Sequence, residues 1–180
     1  AIYDLGDGTV AKIYREEKRT VLRQDKLALM TSQRVEIPGV CWPQELIWDG
    51  DGNFLGYRME RAQGTELQRC VFTRQALERY FPGWKKVDMV RLCITILEQI
   101  SALHRCGVLL GDINPRNILM VSPEEVWLVD CDSYQVGGYP CPVGMVRFTA
   151  PEIQHRRFST FLRTPGNESF AVATPLFILN

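Results

Sequence analysis

The sequence predicts an α+β fold in which a small sheet-rich lobe precedes a helical lobe. Short β-prone runs occupy much of the N-terminal third, and the clearest helical periodicity follows them at Asp88 to Cys106. Short apolar runs between polar loops return after that helix. Segregation of strands from helices along a chain is typical of the α+β class.

The strands are predicted from short apolar runs bounded by turn residues. Thr9 to Tyr14 is apolar and β-prone, and it precedes the first helical pattern. Leu46 to Trp48 and Phe54 to Met59 flank the sequence Asp-Gly-Asp-Gly-Asn at 49–53, which is typical of a hairpin turn. Three later apolar runs are also short: Val108 to Leu110, Ile118 to Val121 and Val126 to Val129.

Two helices are predicted from apolar residues at helical spacing. The first covers Glu16 to Ser32, and the second covers Asp88 to Cys106 and ends at Gly107. The second carries an apolar stripe that we expect to face the core: Val90, Cys93, Ile94, Leu97, Ile100 and Leu103.

Composition and charge exclude several classes of protein. A chain of 180 residues is expected to form one domain, and 46% hydrophobic residues is ordinary for a globular protein. The formal net charge is zero, which argues against direct binding to nucleic acid through phosphate contacts. The apolar run from Phe170 to Asn180 is too short to span a membrane. Six cysteines without a Cys-x-x-Cys pair predict reduced, mostly buried thiols in a cytoplasmic protein.

Two short polar stretches carry the candidate chemistry, residues 111–117 and 128–132. The first reads Gly-Asp-Ile-Asn-Pro-Arg-Asn and the second reads Leu-Val-Asp-Cys-Asp. Each places a carboxylate or an amide beside an apolar run. A strand holds its terminal side chain rigidly, which suits a group that holds a metal or orients a nucleophile. Oxygen ligands of this kind favour Mg²⁺, which takes one or two carboxylates together with phosphate oxygens and water.

Five motifs in order give the chain a resemblance to the eukaryotic-type Ser/Thr protein kinases. They are Val10-Ala11-Lys12-Ile13, Met59 to Leu67, Asp112 with Asn117 five residues later, Asp130, and Ala150-Pro151-Glu152. The resemblance implies a bilobal protein kinase-like domain over residues 1–180. It implies a small antiparallel sheet lobe over residues 1–60, a hinge near 60–66, and an incomplete helical lobe over 67–180.

The resemblance also implies the residues that bind the nucleotide. Lys12 is expected to contact the α- and β-phosphates of ATP and to pair with an acidic residue of the following helix, either Asp25 or Glu17. The hinge residues follow in order, with Met59 as gatekeeper, the backbone of Glu60 to Ala62 for the adenine, and Glu66 for the ribose.

By the same resemblance, residues after the hinge carry the phosphoryl transfer. Asp112 is expected to accept or orient the proton of the substrate hydroxyl, and Asn117 and Asp130 are expected to hold Mg²⁺ on the phosphates. Asp132 is a further candidate metal ligand. Asn114 occupies the place of a loop lysine that touches the γ-phosphate in the family, so it is assigned to the catalytic set.

Several positions depart from the family pattern. Gly111 replaces the arginine that reads a phosphorylated activation loop in the family, which indicates a protein not switched in that way. Replacing the loop lysine with Asn114 removes a cation, for which Arg116 and Arg147 are the nearest substitutes in sequence. No glycine-rich phosphate loop is recognisable. The residues within these motifs resemble those of a bacterial subgroup that is often fused to a helix-hairpin-helix segment. Glu152 is expected to support the lower lobe by pairing with an arginine.

Two functional hypotheses follow from the sequence. The first is an ATP- and Mg²⁺-dependent phosphotransferase that modifies Ser/Thr hydroxyls of a protein substrate. The second is a pseudokinase scaffold that binds nucleotide or a partner protein without efficient turnover. Gly111, Asn114 and the unrecognised glycine-rich loop favour the second, whereas Lys12 and Asp130 favour the first.

Overall fold

The computed structural model describes residues 1–179 as two compact units. The first unit consists of Ala1–Glu36 and Cys41–Ala62, and the second of Ile37–Val40 and residues 63–179. Each unit contains an antiparallel sheet together with helices. The predicted α+β class is therefore confirmed.

The first unit is built on a four-stranded sheet with the spatial order β1-β2-β4-β3, in which every pair is antiparallel. Its strands are β1 (Ile2–Asp4), β2 (Thr9–Ile13), β3 (Glu45–Trp48) and β4 (Phe54–Glu60). The predicted hairpin joins β3 to β4. Its turn is closed by Asp49, whose carboxylate accepts hydrogen bonds from the backbone N–H groups of Asp51 and Asn53.

Helix α1 (Val21–Gln33) is shorter than the helix predicted for this stretch. Glu16–Lys18 forms a separate 3-10 turn instead of the first helical turn. Thr20 ends that irregular stretch, because its side chain accepts a hydrogen bond from the backbone N–H of Arg23 and so caps α1. The predicted start at Glu16 was wrong because a capping side chain decides where a helix begins.

The second unit combines a three-stranded antiparallel sheet with four helices. The strands lie in the order β5 (Thr65–Glu66), β6 (Ile118–Ser122) and β7 (Glu125–Leu128). The helices are α2 (Leu67–Cys70), α3 (Arg74–Tyr80), α4 (Lys86–Arg105) and α5 (Pro165–Leu179). The apolar run that begins at Phe170 lies on α5, and its last residue, Asn180, lies outside the described residues. Val108 to Leu110 does not form a strand and makes only an isolated bridge at Leu109.

Helix α4 buries three of the six residues predicted to face the core, namely Cys93, Ile100 and Leu103. The buried residues are Leu92, Cys93, Ile96, Ile100 and Leu103, whereas Val90, Ile94 and Leu97 are between 43% and 48% exposed. The helix is apolar on more than one face, so periodicity alone selected only in part the face that packs inside this unit.

All six cysteines are free thiols, and five are buried. Burial raises the pKa of Cys41 to about 12 and the pKa of Cys70 to about 11. Thiols with such values stay protonated near neutral pH and behave as small apolar side chains. Within residues 1–179, no helix combines the length and the apolar character needed to cross a membrane.

Candidate functional site

The polar loop 111–117 connects the end of α4 to β6 and carries two of the predicted site residues. Asn114 organises this loop. Its Nδ2 donates to the carbonyl of Asp112 at 3.3 Å, and its Oδ1 accepts from the backbone N–H of Arg116 at 3.0 Å. Asn114 is only 3% exposed. Both ends of the amide therefore help to hold the loop.

The same loop brings the side chains of Asp112 and Asn117 together. Nδ2 of Asn117 lies 3.5 Å from Oδ2 of Asp112 and 3.2 Å from its carbonyl oxygen. The other carboxylate oxygen of Asp112, Oδ1, is buried and has no hydrogen-bond partner among the described residues. A buried acceptor without a donor is costly, so this atom is suited to receive a proton donor from a bound molecule.

Asp130 follows the end of β7, and the residue before it is hydrogen-bonded to loop 111–117. The neighbouring Val129 donates its N–H to the carbonyl of Asn117 at 3.0 Å, which ties the end of β7 to the end of the loop. Asp130 has φ 63° and ψ 32°, a left-handed conformation that is uncommon outside glycine. Strained residues of this kind cluster at functional sites.

The 3-10 turn Cys131–Ser133 begins immediately after Asp130 and places Asp132 next in the chain. Ser133 anchors this turn, since both its N–H and its hydroxyl donate to the carbonyl of Asp130. Asp132 is half-buried. The second unit thus hydrogen-bonds Asp112 to Asn117 and ties the residue before Asp130 to the same loop, with Asp132 two positions further along the chain.

Beneath loop 111–117 lies a buried acidic residue of α5. Glu168 is 1% exposed, and its Oε1 accepts the backbone N–H of Leu110 at 2.7 Å. Its Oε2 lies 3.4 Å from Nε2 of His104 on α4. Glu168 therefore joins α5 to the start of the loop that carries Asp112, while its second oxygen lies near α4 without a hydrogen bond.

Removing this carboxylate is expected to destabilise the fold. Glu168→Ala would leave the N–H of Leu110 buried without an acceptor, so we expect the free energy of unfolding to fall by about 2–4 kcal/mol. Glu168→Gln keeps an acceptor and should cost about 1 kcal/mol. Denaturant unfolding measures both, with Glu98→Ala on the exposed face of α4 as the control. An Glu168→Ala protein as stable as the control would contradict this role.

The first unit holds the predicted phosphate-contacting lysine. Lys12 is half-buried on β2, opposite Tyr57 on β4, and its Nζ lies 5.9 Å from the ring centroids of Tyr14 and Tyr57. The helix face beside this sheet is not acidic. Asp25 and Glu17 are both exposed, whereas the buried charged residue of α1 is Lys26, which is 6% exposed.

The predicted hinge begins at the end of β4. Met59 is buried, and Glu60 is exposed at the last position of the strand. Cys41 was not predicted to lie in this region. Burial raises the pKa of its thiol most, and the nearby charge of Glu60 raises it further. The backbone of Ala62 also forms a hydrogen bond with the thiol. No local pattern in the sequence pointed to Cys41.

Glu66 and Glu152 belong to the second unit and have partners there. Glu66 ends β5, and its carboxylate accepts from Nε of Arg69 at 3.0 Å. Glu152 accepts from Nδ2 of Asn167 at 2.6 Å. Glu152 was expected to pair with an arginine. Among the described residues it is instead bonded to the amide of Asn167 at the start of α5.

Comparison with known proteins places these residues in context. The chain is 29% identical over 187 residues to protein kinase YegI from Escherichia coli, an alignment that covers 98% of this chain. It is similar to protein kinases. CDPK-related kinase 7 from Arabidopsis thaliana is 28% identical over 109 residues, which cover 57% of this chain and 18% of that protein.

The similarity to kinases extends over only part of each relative. The chain spans 29% of the length of YegI. No family model matches the chain. The comparisons thus support a protein kinase-like relationship, which agrees with the resemblance found in the motifs.

Proposed function

We propose that this chain is an ATP- and Mg²⁺-dependent phosphotransferase that transfers the γ-phosphate to Ser/Thr hydroxyls of a protein. The observation that supports the proposal is the hydrogen bond between Asn117 and Asp112 in one loop, to which the residue before Asp130 is also bonded. Phosphoryl transfer depends mostly on positioning and on neutralising charge, and this arrangement offers both kinds of group. The similarity to protein kinase YegI supports the same reaction class.

The residues present are suited to magnesium. Nδ2 of Asn117 is occupied by Asp112, which leaves its Oδ1 as a ligand oxygen, and Asp130 and Asp132 add carboxylates. The described residues contain no cluster of three or more His, Cys, Asp or Glu side chains that could hold a metal alone. Mg²⁺ requires fewer protein ligands, because phosphate oxygens and water complete its shell. When bound, the ion would neutralise negative charge on the phosphates.

Asp112 would act on the substrate hydroxyl. Its buried Oδ1 lacks a donor, so a hydroxyl placed against it would donate a hydrogen bond and then pass its proton to this atom. Asn117 would fix the orientation of the carboxylate through Oδ2. Asn114 would contribute by holding the backbone of the loop, as a positioning residue.

The nucleotide contacts form the remaining part of the proposal. Lys12 would contact the α- and β-phosphates as a point charge. Met59 and the backbone from Glu60 to Ala62 would contact the adenine, and Glu66 would reach the ribose. These assignments follow the kinase resemblance, and each can be tested by substituting the residue.

A second candidate is a pseudokinase scaffold, and the state of Asn114 favours it. The family places a cation there, whereas both amide atoms of Asn114 are committed to the loop. Arg116, a candidate replacement, is exposed and donates to the side chain of Gln68 at 3.3 Å. A site without that cation would stabilise the transition state less and turn over slowly.

Two measurements on the wild-type chain test the proposal. Transfer of labelled γ-phosphate from ATP to the protein itself or to a general Ser/Thr substrate is expected only with Mg²⁺ present. Thermal unfolding with ATP and Mg²⁺ reports binding independently of turnover. A Mg²⁺-dependent rise in the unfolding midpoint without phosphate transfer would favour the scaffold. The absence of both the midpoint rise and the transfer would exclude both nucleotide-dependent functions.

A further inference from the structure

A buried arginine occupies the space beside Gly111 that a side chain at that position would need. A Cβ at Gly111 would collide with Nη1 of Arg163 and with the side chain of Cys141. A Cβ at Gly144 would come within 2.7 Å of Nη2 of the same arginine. Two glycines, one before Asp112 and one in the segment 137–150, therefore make the slot in which this guanidinium lies.

The guanidinium is hydrogen-bonded in that slot through Nη2, whereas its Nη1 is buried without a hydrogen-bond partner among the described residues. Arg163 is 5% exposed, and its Nη2 donates to the carbonyl of Val143 at 2.6 Å. The ring of Phe158 covers one side, with the guanidinium carbon 4.5 Å from the ring centroid. Gln135 fixes the backbone of Arg163, since its side chain accepts the N–H of Arg163 at 2.7 Å and donates to its carbonyl at 2.9 Å.

This buried cation makes no ion pair with any residue among 1–179. A charge without a carboxylate is expensive to bury, so stability alone gives little reason to keep an arginine there. Its Nη2 instead bonds segment 137–150 through the carbonyl of Val143, and its Nη1 lies against Gly111 of loop 111–117 without a hydrogen bond. The chain also has glycine at the position where the kinase resemblance expects an arginine that needs a phosphate.

We infer that Arg163 is a positioning residue that fixes segment 137–150 against loop 111–117 without a phosphorylated partner. The guanidinium reaches the slot from the chain after the segment, and its acceptor is a main-chain carbonyl that is always present. The segment is therefore held in its position in the unmodified protein. The expected effect on turnover rests on the proposed phosphotransferase function, whereas the expected effect on the segment does not.

Amide hydrogen exchange tests the inference directly. Arg163→Met keeps an unbranched apolar stem and removes the guanidinium, so exchange in residues 139–149 should become about tenfold faster or more. Exchange in β6 and β7 should stay unchanged. Arg156→Met is the matched control, because Arg156 also stacks on a phenylalanine, with its guanidinium 3.9 Å from the Phe161 centroid, but is exposed.

A second variant and a phosphatase treatment complete the test. Arg163→Lys keeps the charge but loses the planar guanidinium, so the exchange rate in residues 139–149 should fall between those of wild type and Arg163→Met. If Arg163→Met unfolds globally, the exchange rate of Arg163→Lys tests the inference instead. Phosphatase treatment of the wild type should leave exchange in 139–149 unchanged. Wild-type exchange in both variants, or loosening of the segment by phosphatase, would overturn the inference.

Kinetics then separate this inference from the proposed function. If the wild type transfers phosphate, Arg163→Met should lower kcat about tenfold while KM for ATP stays within about twofold, because the segment and not the nucleotide is displaced. An unchanged kcat would overturn the positioning role. If the wild type transfers no phosphate, the proposed function fails, and the exchange measurements still decide the role of Arg163.

Discussion

Asp130→Asn is expected to abolish the Mg²⁺-dependent part of ATP binding and to lower phosphoryl transfer about a thousandfold or more. Asparagine keeps the size of the side chain and tolerates the left-handed backbone found at φ 63°. The substitution therefore removes the carboxylate charge without adding backbone strain. Thermal unfolding with ATP, with and without Mg²⁺, measures the binding, and labelled phosphate transfer measures the rate.

The control for Asp130→Asn is the same change at Asp51, an exposed residue in the turn between β3 and β4. It should leave both signals at wild-type values. If Asp130→Asn keeps a full Mg²⁺-dependent rise in the unfolding midpoint, then Asp130 does not hold the ion. The metal assignment would then have to move to another carboxylate, such as Asp132.

Asp112→Asn is expected to separate binding from turnover. The substitution removes the proton acceptor at Oδ1 but leaves Asn117 and Asp130 in place, so the ATP- and Mg²⁺-dependent midpoint shift should be retained. The kcat for phosphate transfer should fall by about a hundredfold to ten-thousandfold, the range typical of a lost general base. Steady-state kinetics and thermal unfolding on the same preparation measure the two effects.

The pair of variants gives a pattern that a structural defect would not reproduce. Asp130→Asn should lose both binding and transfer, whereas Asp112→Asn should lose only transfer. Retained turnover in Asp112→Asn would rule out its catalytic role. A pseudokinase would instead bind nucleotide in the wild type and in Asp112→Asn equally, with no transfer in either protein.

The candidate site was partly predictable because two of its residues belong to one short loop. Asp112 and Asn117 are five residues apart in the sequence, and a loop of that length brings its ends within hydrogen-bond reach. Asp130 could be predicted from the apolar run before it, which forms β7. The hydrogen bonds by which Asn114 holds the loop could not be predicted from its position in the family pattern, and its catalytic role stays a prediction.

The helices show how far periodicity in the sequence predicts helix ends and buried faces. Periodicity located α4 to within two residues at its start and one residue at its end. It selected the buried face only in part, because Ile94 and Leu97 fit the helical pattern as well as Ile96 does. Helix α1 was predicted five residues too early, because Thr20 begins the helix through a single capping hydrogen bond.

The sequence by itself determined the α+β class, the β3–β4 hairpin, and the loop that pairs Asp112 with Asn117. These features depend on neighbours within a few residues, whose spacing is written in the chain. Only the tertiary structure decided that Glu168 accepts the N–H of Leu110 and that Arg163 lies against Gly111. Such partners are separated by more than fifty residues, and each buried polar group takes whichever partner the packing of distant segments brings to it.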